Sequence, residues 1–325
     1  HHGNGTQHTF ERDGTVFAQH FDFSSLKLSG DPAPIAASVA FGQNEQMFAS
    51  VANDGTLVFR EGLRGSFSSL AWLDRNGVGT QSIRERELFS DIALSHDGKR
   101  LAYSVSAAGQ DARDLWVHDL ARDSVNRLTF DEGSEDYPVW SRDDRLLYFS
   151  KTGRNDGTIY RRASDGTGEA VEVGTTESGI WPMAVSGDGR WLVVGSDSAQ
   201  SGQDLCRFEV ATKAVTPLVA TPSHDADGAL SPDDRLLAYA SEQSGRFEVY
   251  VRALGGESGT WQISREGGLR PRFSADGREL FFFSRPDALM VVQVEPGPAP
   301  RFGPPRELFR HAMDSFDVTP DGQRI

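Results

Sequence analysis

The stretch Leu94-Ser95-His96-Asp97-Gly98-Lys99-Arg100-Leu101-Ala102-Tyr103 decides the fold. It reads as strand, tight turn, strand. Gly98 tolerates the positive φ that a short hairpin turn demands, and Ser95 and Asp97 can bond back to nearby backbone N–H groups. Leu101-Ala102-Tyr103 then fits a half-buried pleated surface.

The same phrase recurs along the chain. Its other copies are Ala49-Ser50-Val51-Ala52-Asn53-Asp54-Gly55, Trp140-Ser141-Arg142-Asp143-Asp144, Val185-Ser186-Gly187-Asp188-Gly189, Leu230-Ser231-Pro232-Asp233-Asp234, Phe273-Ser274-Ala275-Asp276-Gly277 and Val318-Thr319-Pro320-Asp321-Gly322. The aspartates fall at 54, 97, 143, 188, 233, 276 and 321, in steps of 43, 46, 45, 45, 43 and 45 residues. Apolar runs follow the turns, as in Leu146-Leu147-Tyr148-Phe149 and Leu237-Ala238-Tyr239-Ala240. A third strand is expected soon after, as in Asp114-Leu115-Trp116-Val117 and Glu248-Val249-Tyr250-Val251, and a short fourth one, as in Ala170-Val171-Glu172-Val173. Four antiparallel strands in each repeat of this length make a propeller blade.

Counting turn phrases predicts an all-β, seven-bladed β-propeller, with six blades as the alternative if the loosely matching 41–86 unit is absorbed elsewhere. The whole chain, 1–325, is then one domain. Blade 1 takes 1–40 plus 312–325, and the others take 41–86, 87–132, 133–177, 178–222, 223–266 and 267–311. Thr15-Val16-Phe17-Ala18-Gln19-His20-Phe21-Asp22 looks like a third strand lacking its inner partner, which Ser315-Phe316-Asp317-Val318 would supply. Joining the ends in one blade would remove free sheet edges.

Composition narrows the function. The chain carries Lys+Arg 33 against Asp+Glu 47, a net charge of −14, which disfavours phosphate backbones and anionic membranes. No apolar run reaches the roughly 18 residues of a membrane-spanning helix. One cysteine, Cys206, excludes an intrachain disulfide and reads as an inert buried thiol. His1-His2 reads as a purification tag, so the sequence is expected to be a piece of a longer protein.

The run Leu94 to Tyr103, followed by Asp114-Leu115-Trp116-Val117-His118-Asp119, resembles the TolB-type propeller repeat. The segment Arg12-Asp13-Gly14-Thr15-Val16-Phe17-Ala18-Gln19-His20-Phe21-Asp22 through Pro34 resembles the propeller region C-terminal to many bacterial membrane-anchored serine/threonine kinases. These resemblances imply a sensor or protein-interaction domain, part of a larger bacterial signalling protein on the extracytoplasmic side. They supply no catalytic residues.

The residues themselves point the same way. No Gly-x-Ser-x-Gly elbow is present, and His8, His20, His96, His118, His224 and His311 are scattered. No cofactor motif is found. Ser223-His224-Asp225-Ala226-Asp227-Gly228 is the one dense group of metal-ligand types; His224, Asp225 and Asp227 are weak candidates there, and a solvated loop is the plainer reading.

Aligning the repeats places Asp91, Asp136, Tyr137, Trp181, Asp225, Asp227, Arg270 and Asp314 where the loops into the inner strands converge. This is a mostly acidic channel mouth with two aromatics, suited to a basic protein or peptide, a small ligand or a cation. The equally weighted plain reading has the aspartates capping loop N–H groups and the aromatics packed between blades. The alternative function is a polysaccharide lyase or glycosidase with a channel metal or carboxylate pair.

Overall fold

The computed structural model describes residues 6–12, 15–22, 25–36, 49–51, 57–59, 68–106, 112–131, 133–152, 157–198, 201–255, 259–284, 287–297 and 299–325. They are all-β and fall into two compact units, 1–68 with 107–111, and 69–106 with 112–325.

In the first unit, Thr6–Arg12, Thr15–Asp22 and Lys27–Ala36 form an antiparallel meander, and Ala49–Val51 pairs with Leu57–Phe59. The turn phrase around Asp54 lies outside the described residues.

The second unit holds five blades. Their inner strands are Gly79–Leu94 (blade A), Ser134–Trp140 (B), Trp181–Val185 (C), Asp225–Leu230 (D) and Leu269–Phe273 (E). In each, a second and a third strand follow the turn phrase and a short outer strand ends the sheet. The long inner strand of blade A also pairs at its other edge with Ser68–Leu73.

The seven-blade count, and the six-blade alternative, are therefore corrected to five. The reason is physical: a turn phrase marks a hairpin, not a blade. The phrase at Thr319–Gly322 has no sheet of its own. Its strand end pairs instead with the Ser68–Leu73 strand, where Leu73 and Ile325 exchange N–H···O bonds of 3.0 Å each. The predicted pairing of Ser315–Val318 with the Thr15–Asp22 strand is thus corrected: Thr15–Asp22 pairs with Thr6–Arg12, and the C-terminal segment pairs with Leu73. Phe316 and Ile325 bury there with Leu73, Phe281, Leu289 and Phe309 of blade E, and the Asp317 carboxylate accepts the Leu94 N–H of blade A at 2.8 Å.

The turn phrases carry identical wiring. The Ser95, Ser141, Ser186, Ser231 and Ser274 hydroxyls each donate to the aspartate two residues on, at 2.7–2.9 Å. Each also accepts the N–H five residues on, at 2.9–3.1 Å. Two phrases have Asp where the others have Gly. Asp144 and Asp234 take the same left-handed turn, with φ 57° and 58°. Their carboxylates reach the neighbouring blade: Asp144 accepts the His96 and Asp97 N–H groups at 2.9 Å, and Asp234 that of Gly187 at 2.7 Å. Arg142 of blade B also donates to the Pro232 carbonyl of blade D at 2.9 Å, past blade C.

Apolar side chains fill the spaces between blades. Leu147 and Phe149 of blade B pack on Leu115 and Val117 of blade A, while Tyr148 packs on Leu192 and Val194 of blade C. Trp140 is buried as expected, its indole N–H on the Ala93 carbonyl at 2.8 Å and the Arg100 guanidinium stacked over its ring.

Candidate functional site

The five inner strands line one channel of about 590 Å³, bordered also by Asp317, Val318 and Pro320 of the C-terminal segment. Every inner strand shifts register shortly before its turn phrase, at Phe89/Ile92, Asp136/Val139, Pro182/Ala184, Ala226/Ala229 and Leu269/Arg272. Such bulges re-aim side chains. The residue four before the turn serine or its equivalent is Asp91, Tyr137, Pro182, Asp227 and Arg270. Tyr137, Asp227 and Arg270 are left-handed there, with φ 58°, 56° and 52°. Pro182 cannot adopt that φ, and in blade C the preceding residue, Trp181, borders the channel.

Asp91, Tyr137, Trp181, Asp227 and Arg270 therefore do line the channel. The Tyr137 and Trp181 rings stack at 6.1 Å between centroids with an interplanar angle of 30°, and Tyr137 remains 42% exposed. Trp181 lies against the backbone of Gly195 in the neighbouring strand, where an added Cβ would fall 2.5 Å from the indole. The Arg270 N–H donates to Asp227 at 2.9 Å, and its guanidinium donates to the Ser315 hydroxyl at 2.8 Å.

The other candidates sit elsewhere. Asp136 is buried and pairs with Arg113 of blade A at 2.8 Å. Asp225 is fully buried and accepts the Thr221 N–H and hydroxyl at 2.9 and 3.1 Å, so it caps its loop. His224 bonds to Gln203 at 2.9 Å and packs edge-on against Phe247. Asp314 is exposed and does not border the channel. Among the described residues no group of three or more His, Cys, Asp or Glu is placed to hold a metal ion.

The channel is also less one-sided in charge than the sequence suggests, because Arg142, Arg270 and Arg272 line it with Asp91, Asp227, Asp234 and Asp317. Burial, and then the like charge of Asp136, hold the Asp91 carboxyl above its usual range, against the pull of Arg270 and Arg113. Burial, then Asp91 and Asp136, push the Tyr137 hydroxyl up to about 12. Beside Asp136, burial raises the carboxyl of Glu135 to about 7, although Lys151 lies 3.5 Å away.

Sequence reasoning missed Gly195, Arg113 and Glu135. A glycine inside the apolar strand Trp191-Leu192-Val193-Val194-Gly195 signals a close approach and was open to detection. Arg113 and Glu135 gave no such sign, since their partners are remote in sequence.

Known proteins fit this architecture. The family described as the prolyl oligopeptidase N-terminal β-propeller domain matches residues 73–227. The Tol-Pal system protein TolB of Helicobacter pylori is 23% identical over 152 residues, 46% of this chain and 36% of the relative. The match thus spans little more than a third of that relative's length. Among solved structures, a putative TolB from Agrobacterium tumefaciens superposes with a TM-score of 0.64 at 19% identity, over 80% of this chain and 96% of the other. TolB from Acinetobacter baumannii gives 0.55 at 17% identity, over 94% and 82%.

The chain carries a TolB-like β-propeller, as the repeats implied. The resemblance to kinase-linked propellers receives no support from these comparisons.

Proposed function

We propose that this chain is a non-catalytic protein- or peptide-binding propeller that engages its partner at the channel mouth, on the extracytoplasmic side of a bacterial envelope. The observation that carries the reading is the set of left-handed residues. Holding a non-glycine side chain at such φ costs on the order of 1–3 kcal/mol and persists where the surroundings impose it, often for function. Tyr137, Asp227 and Arg270 accept that cost at one register on three blades, and all three border the channel.

The likeness to Tol-Pal system proteins supports an envelope location and a protein partner. The polysaccharide-enzyme reading asks for two carboxylates free to act in the channel. Of the carboxylates that line it, Asp227 instead takes the Arg270 N–H, Asp234 that of Gly187 and Asp317 that of Leu94, which leaves Asp91 alone.

Site-specific photocrosslinking tests the proposal. With p-benzoylphenylalanine in place of Tyr137, a discrete protein adduct is expected in intact cells of the native host. The same label at exposed Thr216, on an outer strand, serves as the reference. Equal adduct yields from the two positions would overturn the reading.

A further inference from the structure

The molecule repeatedly pairs arginine with aromatic rings. Arg324 lies over Trp72 at 4.5 Å, Arg100 over Trp140 at 4.9 Å and Arg207 over Trp191 at 4.4 Å. Arg127 covers Phe130 at 4.9 Å in the same way. Among the described contacts, neither Tyr137 nor Trp181 carries such a cation, although both border a cavity whose lining includes arginines.

The nearest cations are engaged elsewhere: Arg113 grips Asp136, and Arg270 is tied to Ser315. On the neighbouring blade A, close enough for its charge to act on the Tyr137 hydroxyl, stands Asp91. Among the described residues its side chain accepts the Ser90 hydroxyl alone, at 3.1 Å, while its own N–H is held by the Ser104 hydroxyl. Among the described residues no cation pairs directly with this carboxylate, on which Arg270 and Arg113 act only from a distance, and none covers either aromatic face.

Both rings are preset. Tyr137 is aimed by its left-handed backbone, and Trp181 is seated against Gly195. A guanidinium or ammonium over an aromatic face gains electrostatically from the ring, more so away from bulk water, and a carboxylate can take its N–H groups. Rings ordered before binding lower the entropy cost of association.

We infer that Tyr137, Trp181 and Asp91 form a receptor for one cationic side chain, an arginine of the partner, laid against the stacked rings with its N–H groups on the Asp91 carboxylate. The inference rests on the channel mouth being the binding face and adds the chemistry that it selects.

The probe is N-acetyl-arginine amide, read by 19F NMR on protein labelled with 5-fluorotryptophan. The Trp181 resonance is assigned by its loss in Trp181→Phe. Millimolar probe is expected to shift that resonance in a saturable way, whereas N-acetyl-norleucine amide and N-acetyl-glutamate amide leave it unmoved. Asp91→Asn is expected to weaken the probe about tenfold or more. Gly195→Ala, which displaces Trp181, is expected to weaken it too, while the five remaining tryptophan resonances report an intact fold.

An equal shift with the norleucine compound, or a probe affinity indifferent to Asp91→Asn, would overturn the inference. If the arginine probe fails while photocrosslinking through position 137 persists, only this inference falls. Loss of both removes the wider reading as well.

Discussion

The two ends of the inner strands are built on opposite terms. At the turn end, polar groups close short circuits, serine to aspartate and serine to backbone, blade after blade. Even the left-handed Asp144 is compensated there, because its carboxylate anchors the turn of the next blade. At the mouth only Asp227, of three left-handed residues, has such a device, its carboxylate taking the Arg270 N–H; behind the mouth, among the described residues, both Glu135 oxygens and one Asp136 oxygen are buried without a hydrogen bond. The same strands thus hold the fold at one end and leave side chains exposed to other demands at the other. A repeat wired firmly at its turn can vary its bulge without losing register.

The largest effect expected from this contrast is a pH dependence at the start of the blade B inner strand, where Glu135 is buried. The Glu135 carboxyl rises from 4.5 to about 7 in the native state, chiefly through burial. The native state therefore binds this proton more tightly than the unfolded chain does. Its contribution is most favourable below the unfolded value and is lost as pH rises through the native one. At about 1.4 kcal/mol per unit, the loss comes to about 3 kcal/mol. Urea denaturation should show Glu135→Gln gaining stability relative to the wild type between pH 4.5 and 7. A parallel pair of stability curves would mean that the start of this strand is as well compensated as the turn end.

A smaller effect belongs to the turn end. Asp144→Gly keeps the left-handed turn, as in the four phrases with Gly98, Gly189, Gly277 and Gly322, and removes the bonds to His96 and Asp97. A loss of about 1–3 kcal/mol is expected from denaturant unfolding, with binding at the mouth unchanged. Altered binding would show that the two ends are coupled.

The smallest effect on stability is expected at Tyr137. Glycine relieves the left-handed strain and gives up a half-exposed ring, so Tyr137→Gly should shift stability by less than about 1 kcal/mol while removing partner capture. A loss of several kcal/mol would assign the ring to the core.

The contrast also explains what the sequence disclosed. The turn end repeats because one hairpin geometry recurs, and its Ser and Asp residues can be read by eye. Trp140, Tyr148 and Cys206 fall where the strand pattern put them, in the spaces between blades or within the sheets. Blade number was harder to read, since Thr319-Pro320-Asp321-Gly322 obeys the local rule yet ends the chain beside Leu73. The mouth was legible by position for Asp91, Tyr137, Trp181, Asp227 and Arg270. Whether an aligned carboxylate reaches the channel, as Asp91 does, or is captured behind it, as Asp136 and Asp225 are, depends on Arg113 and Thr221, which no repeat alignment selects.

The tie from Arg142 to the Pro232 carbonyl has a mechanical side. Wedges joined only to their neighbours can be squeezed oval with little resistance, as a ring of hinged plates can. A strut between blades B and D, skipping blade C, opposes that flattening near the turn end by the strength of one exposed hydrogen bond, about 1 kcal/mol.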